Sequence, residues 1–440
     1  MMALGITAPA LLQAQDSAIH AFTAQQAADY AMKNNVQVKN ALIDIRLQEQ
    51  TNRDLTGAAY PQINANGSFT YNAKIPVSLV PGDFFGQPGT FIPVQFGVRY
   101  NALGGITLDQ LLFDGQVFVG LQARQTAIDF RVKNSEITEQ TIKANVYKIY
   151  YQLVASRTQI QLLDANIARL DKLLHDTREI YKNGFAEKLD VDRVSVQMAN
   201  VQSEKVRVLN QVNNGYLGLK LLMGMPMTDS LALTEEVTYD RVKQELLDGS
   251  TFNYADRKEY QYAELGIKLN EYNIRRYKLS KIPTFKLGAF YNTIAQQNEF
   301  TYFKNTPGKI WYPSSALTLS VNVPIFHGFS TNAKIASAKL DLQKSINERE
   351  NLKLSIANEV ETARNNFQTA ITTLDFQKQN MELAESVYNQ TKKKYEAGTG
   401  DQIEIINAET DLRTAQTNYI TSLYAAIIAK VDYLKAIGKF

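Results

Sequence analysis

The stretch YEAGTGDQIEIINAE (Tyr395–Glu409) sets glycines, a threonine and several carboxylates close together, a composition that could hold a phosphate or a cation. Neither chemistry fits the spacing. The segment GTGD lacks the Gly-Lys-Ser/Thr ending of a phosphate loop. The run DQIEIINAE lacks the Asp-x-Asp-x-Asp-Gly order of a calcium loop. Asp401 and Glu404 do have the spacing of a capping box, with Asp401 as the N-cap and Glu404 at N3. Acids there also suit the positive end of a helix dipole. Elsewhere, His20, His175 and His327 lie far apart and show no ligand spacing. The chain has no cysteine, which excludes thiolate zinc sites, disulfides and thiol nucleophiles. A formal charge of +3 on 440 residues gives no electrostatic case for nucleic acid. No catalytic constellation emerges, so the expectation is a protein that is not an enzyme and carries no cofactor or metal.

The elements around this stretch occur twice. YKNGFAEKLDVDRVSVQMANVQ (Tyr181–Gln202) aligns with YEAGTGDQIEIINAETDLRTAQ (Tyr395–Gln416) at an offset of about 214 residues, far beyond solenoid periods. LLFDGQ (Leu111–Gln116) matches PIFHGF (Pro324–Phe329) at nearly the same offset, and YPQINANGSF (Tyr60–Phe69) corresponds to IPTFKLGAF (Ile282–Phe290). Each copy reads as helix, strand, long loop, strand, very long helix, turn, helix. The expected layout is an N-terminal tail or signal-peptide remnant over 1–22, a first copy over 23–223, a linker over 224–250 and a second copy over 251–440. Strands are expected near 61–72 and 99–112, then 284–293 and 315–326. Hairpin turns are expected near 183–188 and 397–401.

Helical periodicity in both copies is that of coiled coils. Ile142, Val146, Ile149, Leu153, Ser156, Ile160, Leu163, Ile167, Leu170, Leu174, Thr177 and Tyr181 advance in alternating steps of four and three. The positions one repeat later do the same, from Ile356 through Phe367 and Leu374 to Tyr395. After each turn, Val191, Val194, Met198 and Val201 are mirrored by Ile405, Ala408, Leu412 and Ala415. A sustained 3.5-residue period predicts left-handed coiled-coil packing rather than a globular core. The seam of the second copy is smaller and partly polar. Helices over about 115–182 and 328–397 would each reach on the order of 100 Å at 1.5 Å per residue. Helices over about 23–57 and 189–223 are roughly half as long, so two stacked end to end would match one long helix.

The strand QINANGSFTYN (Gln62–Asn72) alternates without exception: Ile63, Ala65, Gly67, Phe69 and Tyr71 against Gln62, Asn64, Asn66, Ser68, Thr70 and Asn72. Leu317, Leu319, Val321 and Val323 oppose Thr318, Ser320 and Asn322 in the same way. About eleven tilted residues cover a bilayer, and Tyr100, Trp311, Tyr312 and Tyr291 could supply interfacial aromatics. No segment approaches the roughly 18 uninterrupted apolar residues of a membrane helix. Four strands cannot close a barrel, and an open edge cannot face lipid with its backbone groups unpaired. Strands in a membrane therefore demand that several chains share one barrel. The loops over 73–98 and 294–314, rich in Pro, Gly, Phe and Tyr, are expected on the outer side, capping or narrowing the mouth.

The duplicated unit, the helix lengths and the LFDG (Leu112–Gly115) and IFHG (Ile325–Gly328) elements together resemble the TolC-like outer-membrane efflux protein family. The resemblance implies a mainly α protein with membrane β structure: a homotrimer, four strands per chain in a twelve-stranded antiparallel β-barrel, continued by a coiled-coil α-helical barrel across the periplasm of a Gram-negative bacterium. It implies an exit duct for efflux or type I secretion, opened by iris-like movement of the helix tips. It implies as partners a periplasmic adaptor, an inner-membrane transporter of RND or ABC type reached through that adaptor, and outer-membrane lipid. Without a cysteine to carry lipid, anchorage is expected to rest on the barrel. Phe113, Asp114 and Gly115, with Phe326, His327 and Gly328, correspond to the family's strand-to-helix turns, His327 standing where aspartate is more usual. Gly184, Phe185, Gly398 and Thr399 are the expected adaptor-contact positions. Glu404 and Asn407, with Asp190 and Arg193 as first-copy equivalents, are the expected periplasmic gate, and Arg193 is a candidate partner for Glu404. The alternative is a structural or adhesive coiled-coil surface protein with no channel.

Overall fold

The structure, a computed structural model, describes residues 19–243, 252–303 and 310–440. In chain order these form β1 (Ile19–Phe22), α1 (Ala24–Asn34), α2 (Val36–Gly57), β2 (Gln62–Tyr71), β3 (Val77–Pro81), β4 (Phe91–Gln95), β5 (Tyr100–Phe113), α3 (Gly115–Lys182), α4 (Lys188–Met223), β6 (Ser230–Leu233), α5 (Tyr239–Lys243), α6 (Lys258–Leu279), β7 (Thr284–Gln297), β8 (Trp311–Asn322), α7 (Ser330–Glu396) and α8 (Gln402–Ala436). The chain divides into two units, one of Met1–Ile45, Arg131–Glu264 and Asn347–Phe440, the other of Arg46–Phe130 and Leu265–Ile346.

The first unit is helical, and its core follows the heptad seams. Ile142, Val146, Leu153, Leu163, Leu170 and Leu174 are buried on α3; Val194, Val201, Val208, Val212 and Leu219 are buried on α4. Ile356, Val360, Phe367 and Leu374 of α7 are buried in one cluster with Leu423, Ala426 and Ile427 of α8, while Ala408 and Leu412 of α8 are buried with Leu173, Leu174 and Val194. Tyr181, the last seam position before the first turn, is 44% exposed, because the helix pair ends there and nothing covers it. Each fully buried Val or Leu contributes about 1.5–3 kcal/mol, so the seams supply most of the cohesion of this unit.

The helix expected over 23–57 is two helices. Asn35 leaves the helical region at φ −60°, ψ 132°, and its side chain explains the break. Its Oδ1 accepts hydrogen bonds from the N–H groups of Gln37 (2.7 Å) and Val38 (3.3 Å), capping α2, while its Nδ2 donates to the Leu222 carbonyl at 2.6 Å. Gly224 closes the same joint at φ +68°, where a Cβ would stand 2.5 Å from the Asn34 carbonyl oxygen. Thr23 and Gln26 form a reciprocal capping box at the start of α1, which lays Ala24, Ala27, Ala28 and Ala31 flat against the core. Residues 19–22, expected as tail, are the strand β1, which pairs in parallel with β6 from the expected linker. Residues 1–18 of that tail and 244–250 of that linker lie outside the described residues.

The second unit carries a four-stranded antiparallel sheet in the order β2-β5-β7-β8, two strands from each repeat copy. The ladder β7–β8 extends past the expected ends, joining Ile294 to Tyr312 and Ala295 to Trp311. Register sets whole rows on one face: Ile63, Leu108, Ala289 and Leu317 in one, Phe69, Ala102, Ala295 and Trp311 in another. The opposite face presents Asn64, Asn66, Thr107, Asp109, Asn292, Thr318 and Ser320. Both outer strands, β2 and β8, are exposed along their full length. Large apolar side chains stand uncovered there, with Ile63 at 68% and Leu317 at 73%. The loop over 73–98 holds the small hairpin of β3 and β4. Among the described residues, no helix is long and apolar enough to cross a membrane.

Candidate functional site

The two helix hairpins bring the candidate gate residues to one end of the helical unit. Both turns are built alike. Gly184 and Gly398 take the left-handed conformation at φ +82° and +71°, which costs glycine little. The N–H of Gly184 donates to the Tyr181 carbonyl at 2.9 Å and that of Phe185 to Ile180 at 3.0 Å. The second turn repeats this pair, Gly398 to Tyr395 and Thr399 to Lys394, both at 3.0 Å. Phe185 is 86% exposed, and Thr399 is exposed with its hydroxyl turned back to the Lys394 carbonyl.

The helix starts that follow differ. Asp190 lies at N3 of α4, and its carboxylate accepts from the backbone N–H of Glu187 at 3.1 Å. It also lies 3.7 Å from the Arg193 guanidinium. Asp401 caps α8 with its own carboxylate, which accepts from the Ile403 N–H at 3.2 Å. Only half of the expected capping box forms: among the described residues the Glu404 side chain does not turn back to the Asp401 N–H. Among the described residues, Glu404 has no hydrogen bond or ion pair through its carboxylate. Arg193 pairs with Asp190 and not with Glu404, since Asp190 is one turn away on the same helix. Glu404 and Asn407 are both exposed, three residues apart on one face of α8.

Two positions near the tips were not among the expected site residues. Gln402, the first residue of α8, is buried, and its amide donates to Thr177 Oγ1 at 3.3 Å and to the Asp190 carbonyl at 3.1 Å. It lies three residues before Ile405, one off the position that the alternating seam extrapolates to, so the periodicity gave no signal for it. Further along α8, Glu409 is 2% exposed and receives Arg169 Nε from α3 at 3.1 and 3.2 Å. Arg169 also bonds Asn166, itself buried, and lies over the Tyr388 ring at 5.5 Å. Burial pushes the Glu409 carboxyl up from its ordinary value, and the Arg169 charge and hydrogen bond only partly oppose it. This cluster ties α3, α7 and α8 together behind the tip.

The strand-to-helix turns of the second unit keep the motif with different physics. Asp114 caps α3, its Oδ1 accepting from Gln116 N–H at 2.7 Å. Gly115 is needed for space: a Cβ would stand 2.8 Å from Leu279 Cβ and 2.9 Å from the Leu279 carbonyl oxygen. Phe113 packs edge-on to Phe285. In the second copy Gly328 is left-handed at φ +56° with open space around it, and Phe329 follows at φ +63°. His327 is exposed and serves through its carbonyl, which accepts from Ser330 N–H at 3.1 Å. Phe326 is 70% exposed.

Comparison with known proteins agrees with this architecture. Residues 27–225 and 255–439 match the family model described as outer membrane efflux protein. The chain is 20% identical over 336 residues to the outer membrane protein TolC of Vibrio cholerae, covering 76% of each chain. It is 21% identical over 420 residues to a probable efflux pump outer membrane protein, TtgC, of Pseudomonas putida, covering 94% of this chain and 82% of that one. Among solved structures, it superposes on the CmeC outer membrane channel of Campylobacter jejuni with a TM-score of 0.75 at 15% identity, covering 95% of this chain and 86% of that one.

Proposed function

The chain belongs to the outer membrane efflux protein family and is a non-enzymatic outer-membrane channel of tripartite efflux or type I secretion systems in Gram-negative bacteria, and we propose that three copies build the duct. The observation that carries this reading is the sheet. Its strands are apolar on one face and Asn/Thr-rich on the other, and its two outer strands end the ladder with backbone groups that lipid cannot satisfy. Three four-stranded sheets joined edge to edge make a closed twelve-stranded barrel with the apolar rows toward lipid and the polar rows toward water. The heptad helices continue it as an α-helical barrel across the periplasm.

At the far end, three-fold symmetry sets three copies of Glu404 and Asn407 around one opening. A ring of three carboxylates attracts cations to the opening. Asp190 and Arg193 neutralise each other beside it. Opening is an iris-like shift of the tips, favoured by a periplasmic adaptor that binds the open form better, with Gly184, Phe185, Gly398 and Thr399 as its contact positions. An inner-membrane transporter of RND or ABC type supplies energy through that adaptor. The test is direct: detergent-extracted protein runs as a heat-stable trimer and gives discrete single-channel currents in planar bilayers. A monomer without conductance would instead fit a non-channel coiled-coil surface protein.

A further inference from the structure

The segment after β7 was expected to cap or narrow the mouth, yet its aromatic rings lie on the apolar face of the sheet. Tyr302 packs edge-on to Phe69 at 5.5 Å and meets Trp311 at 6.1 Å. Phe300 stands edge-on to Phe69 and to Tyr100, 5.8 Å from each. The Tyr302 hydroxyl donates to the Ala295 carbonyl at 3.3 Å. Beneath these rings Ala295 is 0% and Ala102 8% exposed, although the sheet is a single layer whose outer strands are bare. Phe69, Ala102 and Ala295 share one cross-strand row with Trp311, so the segment lies at one end of the same face that carries Ile63, Leu108 and Leu317. The polar face that would line a channel is not the one it touches. At its outer end Phe303 projects, 91% exposed.

We propose that this flap, Phe300, Tyr302 and Phe303 with Phe69, Tyr100 and Trp311, is an anchor seated in the headgroup zone of the outer leaflet, and not a lid over the channel. The inference rests on the barrel proposed above, whose apolar face meets lipid. The flap continues that face at the end of the sheet where the strands join loops rather than helices. Rings with an apolar body and a polar edge favour that boundary, where Trp and Tyr concentrate in membrane proteins. The small side chains beneath give the rings room to lie flat, and their mutual edge-on packing fixes them at little further entropic cost.

Trp311 is the chain's single tryptophan, so intrinsic fluorescence reports the flap without labels. The full chain is reconstituted in phosphatidylcholine vesicles brominated either near the headgroup or near the acyl terminus, and conductance is recorded from the same preparation. Quenching roughly two-fold stronger by the shallow bromines is expected, as for an interfacial residue. In the Phe300→Ser, Phe303→Ser double variant that preference is lost while unitary conductance is unchanged. A conducting protein quenched only by aqueous acrylamide, or by neither reagent because a neighbouring copy shields the site, overturns the anchor and leaves the barrel standing. A rise in conductance in the double variant overturns it in favour of a lid. Vesicles with neither lipid quenching nor conductance overturn both readings.

Discussion

The two helix hairpins share a backbone and differ in what their acids do. Each turn has a left-handed glycine and the same pair of carbonyl contacts, and each places an acid at N3 of the next helix. In the first copy that acid is occupied twice, by the Glu187 N–H and by Arg193. In the second copy it is free among the described residues, and Asp401 caps the helix through its own carboxylate. The repeat position of Glu409 in the first copy is Ser195, whose hydroxyl merely returns to the Val191 carbonyl. Duplication has thus kept the scaffold and separated the roles. One tip holds itself closed in charge, while the other is clamped from behind by Arg169 and Glu409 and presents an unneutralised carboxylate.

The largest effect is expected from Arg169→Ala, which strands Glu409 without its counter-charge in a buried site and costs about 3 kcal/mol. Loss of trimer heat stability would report it, and Glu409→Gln, which removes the charge as well, should recover most of the loss. Next come Gly184→Ala and Gly398→Ala, each forcing a left-handed residue at a cost of about 1 kcal/mol. Equal destabilisation of the two variants in denaturant titrations would show that the turns are equivalent and that the difference lies in the acids. Asp114→Ala removes a cap worth about 1 kcal/mol, whereas His327→Ala should leave stability unchanged, since His327 acts through its backbone.

The smallest effect is in pH dependence. The Glu259 carboxyl is desolvated, but the Arg257 hydrogen bond and charge outweigh this and hold it below its ordinary value of 4.5. Its stabilisation is complete above 4.5 and is withdrawn as pH falls through the lower folded value. Glu409 has the opposite sign: its folded value is raised, so the folded state gains relative to the unfolded one as pH falls toward it. The stability difference between wild type and Glu259→Gln should therefore close only as pH falls below 4.5, while that between wild type and Glu409→Gln moves in favour of wild type at milder pH, as the raised value is approached.

Much of this was legible in the sequence because periodicity is a physical requirement of the parts. A 3.5-residue period foretold which side chains of α3, α4, α7 and α8 are buried, and the period-2 alternation of Ile63 to Tyr71 foretold the two faces of the sheet. Side-chain competition was less legible. Asp401 and Glu404 have capping-box spacing, but spacing does not tell whether the N3 side chain will turn back to the N-cap N–H. Asn35 breaks a helix that periodicity alone would continue, because its amide serves two partners far apart in the chain. Glu409 is invisible as a clamp until Arg169, 240 residues earlier, is brought against it. Gly115 and Gly328 look alike in the motif, yet one is required by crowding and the other by its backbone angle.

The central claim is that the two tips are unequal, with Glu404 at the opening and Asp190 neutralised beside it. Single-channel recording of Glu404→Ala and Asp190→Ala against wild type, in the same planar bilayers, tests it most directly. The account predicts higher conductance or weaker cation selectivity for Glu404→Ala, with wild-type currents for Asp190→Ala. Unchanged currents in the first variant, or an equal change in both, would contradict it.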